Sequence, residues 1–368
     1  MILIFSPILT LYKWVKLKQL RSSSKILPIV CINKFSSLFR CFMIIFSRWN
    51  TIATRKLSMF VADSFANMKP RIFKNPDIQH RFDTDGYVVI DFISADEAKL
   101  IEAKSYELHS SLPKGFYSAA FTPDENFKQE IFEHTNKVLQ KAIDDNFENY
   151  KTLGSTFLCK APGPEGKVNV HQDWTCVDES KFYSATIWVP MLDTTEENGA
   201  LRVLPGSHLF FNYYRSNNIP VFYRNNQPLL WESMITEPMK AGQAFVLNHA
   251  VIHGSSPNLT SKERLVVAFA VAPKDASLVF YHKEVNDPST KVEKFDMPDD
   301  FFQRYYNAGE RPLFGTLVET LDHPVPETSR KELLQLINTE RTKRNLPPVV
   351  DAEAGTTTVA PEKEPWVD

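Results

Sequence analysis

The order of apolar and polar positions changes character near residue 150. Upstream of that point the periods are mostly helical. "DTDGYVVIDFI" reads as a turn and then a strand over Val88 to Phe92, but Ser94 followed by Glu97 forms a capping box that opens a helix through "DEAKLIEAKSYELHSSL". Thr122 and Glu125 stand in the same relation, and Phe127, Ile131, Val138 and Leu139 then recur at helical spacing, so a second amphipathic helix is expected. Downstream, short runs rich in Val, Ile, Phe and Thr are separated by Pro, Gly and Asn. They predict strands at 154–160, 168–174, 182–189, 200–204, 243–249 and 264–272. Helices followed by many short strands indicate an α+β, mainly β protein built on an antiparallel sandwich or barrel.

One domain is expected over 70–350, interrupted by an insertion at 208–235. Its "HLFFNYYRSNNIPVFYRNNQPLLW" (208–231) is aromatic, basic and aperiodic, the character of a binding loop or lid. A C-terminal extension is expected over 273–350, and the small, polar residues of 351–368 read as a disordered tail.

Charge sharpens the boundary at the other end. Ten of the 42 basic residues but one of the 44 acidic ones fall within 1–67, which leaves the remainder at a formal charge of −11. So acidic a body is a poor nucleic-acid binder, because phosphate backbones are held by clustered Lys and Arg. The leader's apolar runs fall short of the roughly 18 residues of a stable membrane span. Its basic, Ser-rich, acid-poor composition fits an organelle-targeting peptide, a membrane-surface segment, or sequence upstream of a true start at Met59 or Met68. The four cysteines include no CxxC, so a reducing intracellular compartment is expected, the cytoplasm unless the leader directs the chain to an organelle. Oligomeric state leaves no trace in the pattern.

Candidate chemistry starts at "NVHQDWT". In an extended segment His171 and Asp173 share a face and can converge on a divalent metal or simply bond one another. "LNHAVIHGSSPNLTSKERLVVAFAV" offers His249 and His253 as a third ligand. A hairpin turning near Asn258–Leu259 pairs residue 253 with 264, which sets Arg264 across from His253 as an anion clamp. His171, Asp173 and His253 leave open coordination positions, the pattern of non-haem Fe(II) oxygenases rather than of four-ligand structural zinc.

With "DGYVVIDFIS", "HQDW", "NGALRVLPGSH" and "HGSSPN" in this order over about 80–272, the chain resembles the phytanoyl-CoA dioxygenase family. The resemblance implies a double-stranded β-helix (a cupin-like jelly-roll) with helices on one sheet. It implies Fe(II) on His171, Asp173 and His253, with dioxygen and 2-oxoglutarate as cosubstrates. Arg264 would take the distal carboxylate, Ser255 would assist it and Trp188 would line the cosubstrate pocket. The implied reaction hydroxylates an unactivated C–H bond of a small or medium organic substrate, releasing succinate and carbon dioxide. Retention of Asp173 points to hydroxylation or desaturation rather than halogenation. The alternative is a jelly-roll that binds metal and oxo acid without turnover. His208 is expected to stabilise a turn and His249 to sit in the core or behind the ligands. "DNFENY" (145–150) is expected to be a solvated helix end, and the Asn258 sequon is discounted.

Overall fold

The computed structural model describes residues 69–108, 114–305 and 309–351. The predicted leader and all but the first residue of the predicted tail lie outside the described residues. The chain enters through helix α1 (Pro76–Asp85). The Asn75 side chain caps its first amides, Pro76 occupies the first turn, and Gly86 ends it at φ 80°. Helix α2 (Ala95–Leu108) starts at the capping box read from the sequence, with Glu97 accepting from both the amide and the hydroxyl of Ser94. Helix α3 (Glu125–Asn146) begins later than expected. Asp124, not Thr122, caps it through the Phe127 amide, while Thr122 Oγ1 accepts from the Asp124 amide one turn earlier.

Six antiparallel strands form the major sheet. In chain order they are β1 (Tyr87–Asp91), β2 (Phe116–Ser118), β3 (Tyr150–Lys160), β5 (Ala185–Pro190), β8 (Gln243–Asn248) and β10 (Arg264–Pro273), arranged β1-β8-β5-β10-β3-β2. The minor sheet is built from β4 (Val168–His171), β6 (Leu201–Val203), β7 (Ile235–Thr236) and β9 (His253–Ser255), arranged β4-β9-β6-β7. Period-two alternation assigns the faces of the major sheet. Leu265, Val267, Phe269 and Val271 of β10 face Phe82, Ile101, Ile131 and Leu139 of the three helices. Val266 and Ala268 face inward, with Trp188 and Phe245, toward Leu201 and Val203 of the minor sheet. Both faces of β10 are covered, which is why it reads as an unbroken apolar run. The result is the expected jelly-roll with helices on one sheet.

One expectation needs correction. His253 and Arg264 are not hairpin partners: β9 pairs with β4 and β6, whereas β10 pairs with β3 and β5, and Arg264 stands opposite Lys160. Asn258 is the physical reason. Its fully buried side chain donates to the carbonyls of Lys160 and Lys262 and accepts from the Thr260 amide, so it turns the chain from one sheet into the other. That burial also closes it to glycosylation. "DNFENY" is the expected helix end, with Asp145 and Asn149 exposed, but Phe147 within it is 1% exposed and packs on Phe73 and the helix-backed core. Finally, the region after 273 adds a third sheet and two helices. Strands β11 (Leu278–His282), β12 (Lys291–Met297) and β13 (Thr316–Asp322) form that sheet, and β11 and β12 share a core with Cys176, Val177 and helix α5 (Phe301–Arg304).

The insertion folds over the minor sheet as helix α4 (Gln227–Ser233) and irregular turns. Leu229 and Leu230 pack with Leu333 and Ile337 of helix α6 (Arg330–Lys343), whose capping box at Ser329 and Glu332 was present in the sequence. Among the described residues, no helix is long and apolar enough to cross a membrane.

Candidate metal centre and anion pocket

The site lies between the two sheets. His171 ends β4 and pairs in register with His253 at the start of β9, so the two imidazole centroids are 4.1 Å apart. Asp173 follows in irregular chain. Its Oδ1 lies 3.9 Å from His171 Nε2 and 3.8 Å from His253 Nε2, and the three candidate donor atoms all fall within 4.8 Å of one another.

Orientation is set from behind. His171 Nδ1 meets the Asn169 carbonyl at 2.8 Å and His253 Nδ1 meets that of Val251 at 3.1 Å, so each Nδ1–H points to the main chain and each Nε2 lone pair points inward. Thr186 Oγ1 donates to Asp173 Oδ2 at 2.7 Å, which leaves Oδ1 for the shared point. Burial, then the neighbouring His253, pushes the His171 imidazole down to about 4, so it is neutral near pH 7. Burial alone would raise the Asp173 carboxyl, but the imidazoles of His253, His249 and His171 together with the Thr186 hydroxyl hold it below its ordinary value. Two imidazoles and one carboxylate aimed at a common point fit a divalent transition metal with coordination positions to spare.

The other end of the site is cationic. Arg264, 1% exposed, projects from β10 into the gap between the sheets, its guanidinium 5.1 Å from the Trp188 ring centroid. Its Nη1 donates to the Gly199 carbonyl, and its Nε has no partner among the described residues. Gly199 is required there. Its φ is +81°, and a Cβ would meet the Ser256 carbonyl at 2.5 Å. Burial draws the guanidinium down to about 9, still cationic near neutrality.

Sequence reasoning missed Lys160, which is fully buried opposite Arg264. Its amino group donates to the carbonyls of Ser255 and Ser256 and, at 2.6 Å, to Ser255 Oγ. It therefore ties β3 of the major sheet to β9 of the minor one, and it leaves the Ser255 hydroxyl hydrogen free to turn into the cavity. Burial, then the adjacent Arg264, lowers it to about 6. A lysine closing the apolar run "TFLCK" was its available signal.

A cavity of about 350 Å³ joins these parts. His171, Asp173, Trp188, His253, Ser255 and Arg264, all six predicted site residues, line it. Its remaining wall includes Phe116, Phe121, Tyr213, Ile219, Tyr223 and Phe302, so the insertion contributes pocket as well as core. His249 stays behind the ligands as expected, its Nδ1 3.0 Å from Ser184 Oγ and 3.3 Å from Cys176 Sγ. His208 braces a turn through Nε2 on the Asp83 carbonyl at 3.1 Å.

A jelly-roll with two imidazoles and one carboxylate converging between its sheets defines a mononuclear metal-binding member of that fold class. The chain belongs to the phytanoyl-CoA dioxygenase family, whose pattern matches residues 82–266. A phytanoyl-CoA dioxygenase of Arabidopsis thaliana is 28% identical over 147 residues, which is 39% of this chain and 52% of that protein. Dioxygenase FUM3 of Gibberella moniliformis is 33% identical over 136 residues, 34% of this chain and 35% of that protein. The chain spans about half the length of the curated phytanoyl-CoA dioxygenase relatives it matches. Among solved structures, HygX of Streptomyces hygroscopicus with nickel, 2-oxoglutarate and hygromycin B bound is 17% identical, covers 55% of this chain and 88% of its own, and has a TM-score of 0.41.

Proposed function

We propose that the chain is an Fe(II)- and 2-oxoglutarate-dependent dioxygenase that hydroxylates a C–H bond of a small, largely apolar organic molecule. One observation carries this reading: three metal-donor atoms and a buried guanidinium that meets no carboxylate among the described residues open onto the same cavity. His171 Nε2, Asp173 Oδ1 and His253 Nε2 would hold the metal. When bound it would supply dioxygen activation coupled to oxidative decarboxylation of the oxo acid to succinate and carbon dioxide, one oxygen atom going to succinate and the other to the substrate.

The chain's own residues provide everything else. Arg264 receives the distal carboxylate, its uncompensated charge neutralised by that anion. The Ser255 hydroxyl, braced by Lys160, donates a second hydrogen bond to it. Trp188 forms the flat wall along which the oxo acid lies. Asp173 occupies a coordination position that a smaller residue would leave to a halide, which favours hydroxylation. The aromatic wall excludes water and orients the substrate.

Succinate release from 2-oxoglutarate by purified protein, measured with and without Fe(II), tests the reading. Metal-dependent release that falls below one hundredth in His171→Ala is expected. Release untouched by that substitution sinks the assignment, and binding of metal and oxo acid with no turnover in a broad metabolite screen selects the non-catalytic alternative.

A further inference from the structure

Strand β4 stops at His171, so Asp173 lies in chain that no sheet ladder holds. Residues 213–217 of the insertion hold it instead. Tyr213 Oη donates to Gln172 Oε1 at 2.5 Å, Arg215 Nε to the Asp173 carbonyl at 3.0 Å, and the Trp174 indole to Asn217 Oδ1 at 2.7 Å. The Thr175 amide donates to the Arg215 carbonyl, and the Arg215 amide returns a bond to Thr175 Oγ1. Every residue from 172 to 175 is thereby bonded to one five-residue strap. Gln172 also donates to the Ala250 carbonyl, just before the turn into His253.

Arg215 locks the strap. It is 3% exposed, and its Nη1 and Nη2 grip the two oxygens of Glu179 at 2.9 and 2.5 Å while Nε reaches Asp173. A buried fork-on-fork pair has one geometry, so the guanidinium registers the Asp173 main chain against Glu179, six residues further on.

We propose that Arg215 is a positioning residue for the metal centre, and that the 213–217 strap sets the Asp173 main chain where its carboxylate, turned by Thr186, meets the point shared with His171 and His253. The proposal rests on the oxygenase reading, in that it takes those three residues as the ligands. It also changes the meaning of the insertion: this stretch is a fixed strap over the ligand segment, not a lid free of it. Partners behind a metal ligand typically contribute a factor of about 10–100 in metal affinity.

The test is a Co(II) titration of the metal-free full chain, with 2-oxoglutarate present, read by the visible absorption of the bound ion. Arg215→Lys keeps the charge but lacks the fork, and at least a tenfold weaker Co(II) affinity is expected. Should that variant not fold, Tyr213→Phe combined with Asn217→Ala removes two strap bonds without stranding a charge, and about a threefold or greater weakening is expected. Phe147→Leu, in the helix-backed core, serves as a control that lowers the melting temperature by a remote route and is expected to keep wild-type affinity. Wild-type affinity in the strap variants, or an equal loss in Phe147→Leu, overturns the proposal. Absence of His171-dependent Co(II) binding in the unmutated chain instead removes the oxygenase reading, and the strap proposal with it.

Discussion

The two sheets of the jelly-roll carry different burdens. The major sheet has strands of up to 11 residues, helices on one face and apolar side chains on both. The minor sheet has strands of two to four residues, yet it presents His171, His253 and Ser255. Short strands with few ladder bonds cannot aim three side chains by themselves. The minor sheet is therefore trussed from outside, by Lys160 reaching across from β3 and by the 213–217 strap. The comparison teaches that the major sheet carries the stability together with Arg264 and Trp188 of the pocket, while the short strands of the minor sheet present the candidate metal histidines, with a few buried polar ties between the two.

Substitutions can separate the two roles. Phe157 is wholly buried between the major sheet and the helices, so Phe157→Ala is expected to cost about 3–5 kcal/mol of stability by denaturant titration while the folded fraction keeps its metal affinity. A loss of metal affinity at full folding would show that the sheets are not independent. Arg264→Met is expected to do the reverse. Truncating one member of a buried charge pair costs about 2–5 kcal/mol of binding, so 2-oxoglutarate affinity should fall at least thirtyfold with metal binding intact. Calorimetric titration of the metal-loaded protein measures it, and unchanged affinity would place the oxo acid elsewhere.

The smallest effect is on pH. His208, beneath the α1–β1 turn, is lowered to about 4 mainly by burial, against an ordinary 6.5. The unfolded chain thus takes up a proton there before the folded one does, so stability is present above about pH 6.5 and is lost as pH falls from there toward 4. His171 has the same sign, and protons also compete with the metal for its Nε2. A melting temperature several degrees lower at pH 5 than at pH 7, on the order of 1 kcal/mol from His208, is expected in the metal-free protein, and in His208→Gln the pH dependence should shrink.

Much of the site was legible. His171 and Asp173 announced themselves by spacing, and Arg264 was correctly placed in the cavity although the hairpin offered as its reason does not exist. The error is instructive: index sums describe a hairpin, whereas a jelly-roll corner built on a buried Asn258 sends the two strands into opposite sheets, and both routes end at the same gap. Lys160 and Arg215 escaped because the bonds defining them span 95 and 42 residues, with no periodicity to mark them. The helix at 330–343 was overlooked even though its cap could be read locally.

Local chemistry and alternation determined the elements, the faces of the strands and the candidate metal donors, since these follow from neighbours within a few residues. Tertiary structure alone decided which sheet each strand joins, which buried basic side chains flank the pocket and what holds Asp173 in place. Those depend on groups far apart in the chain meeting in a space from which water is excluded, where an unmatched charge or donor is costly enough to dictate its partner.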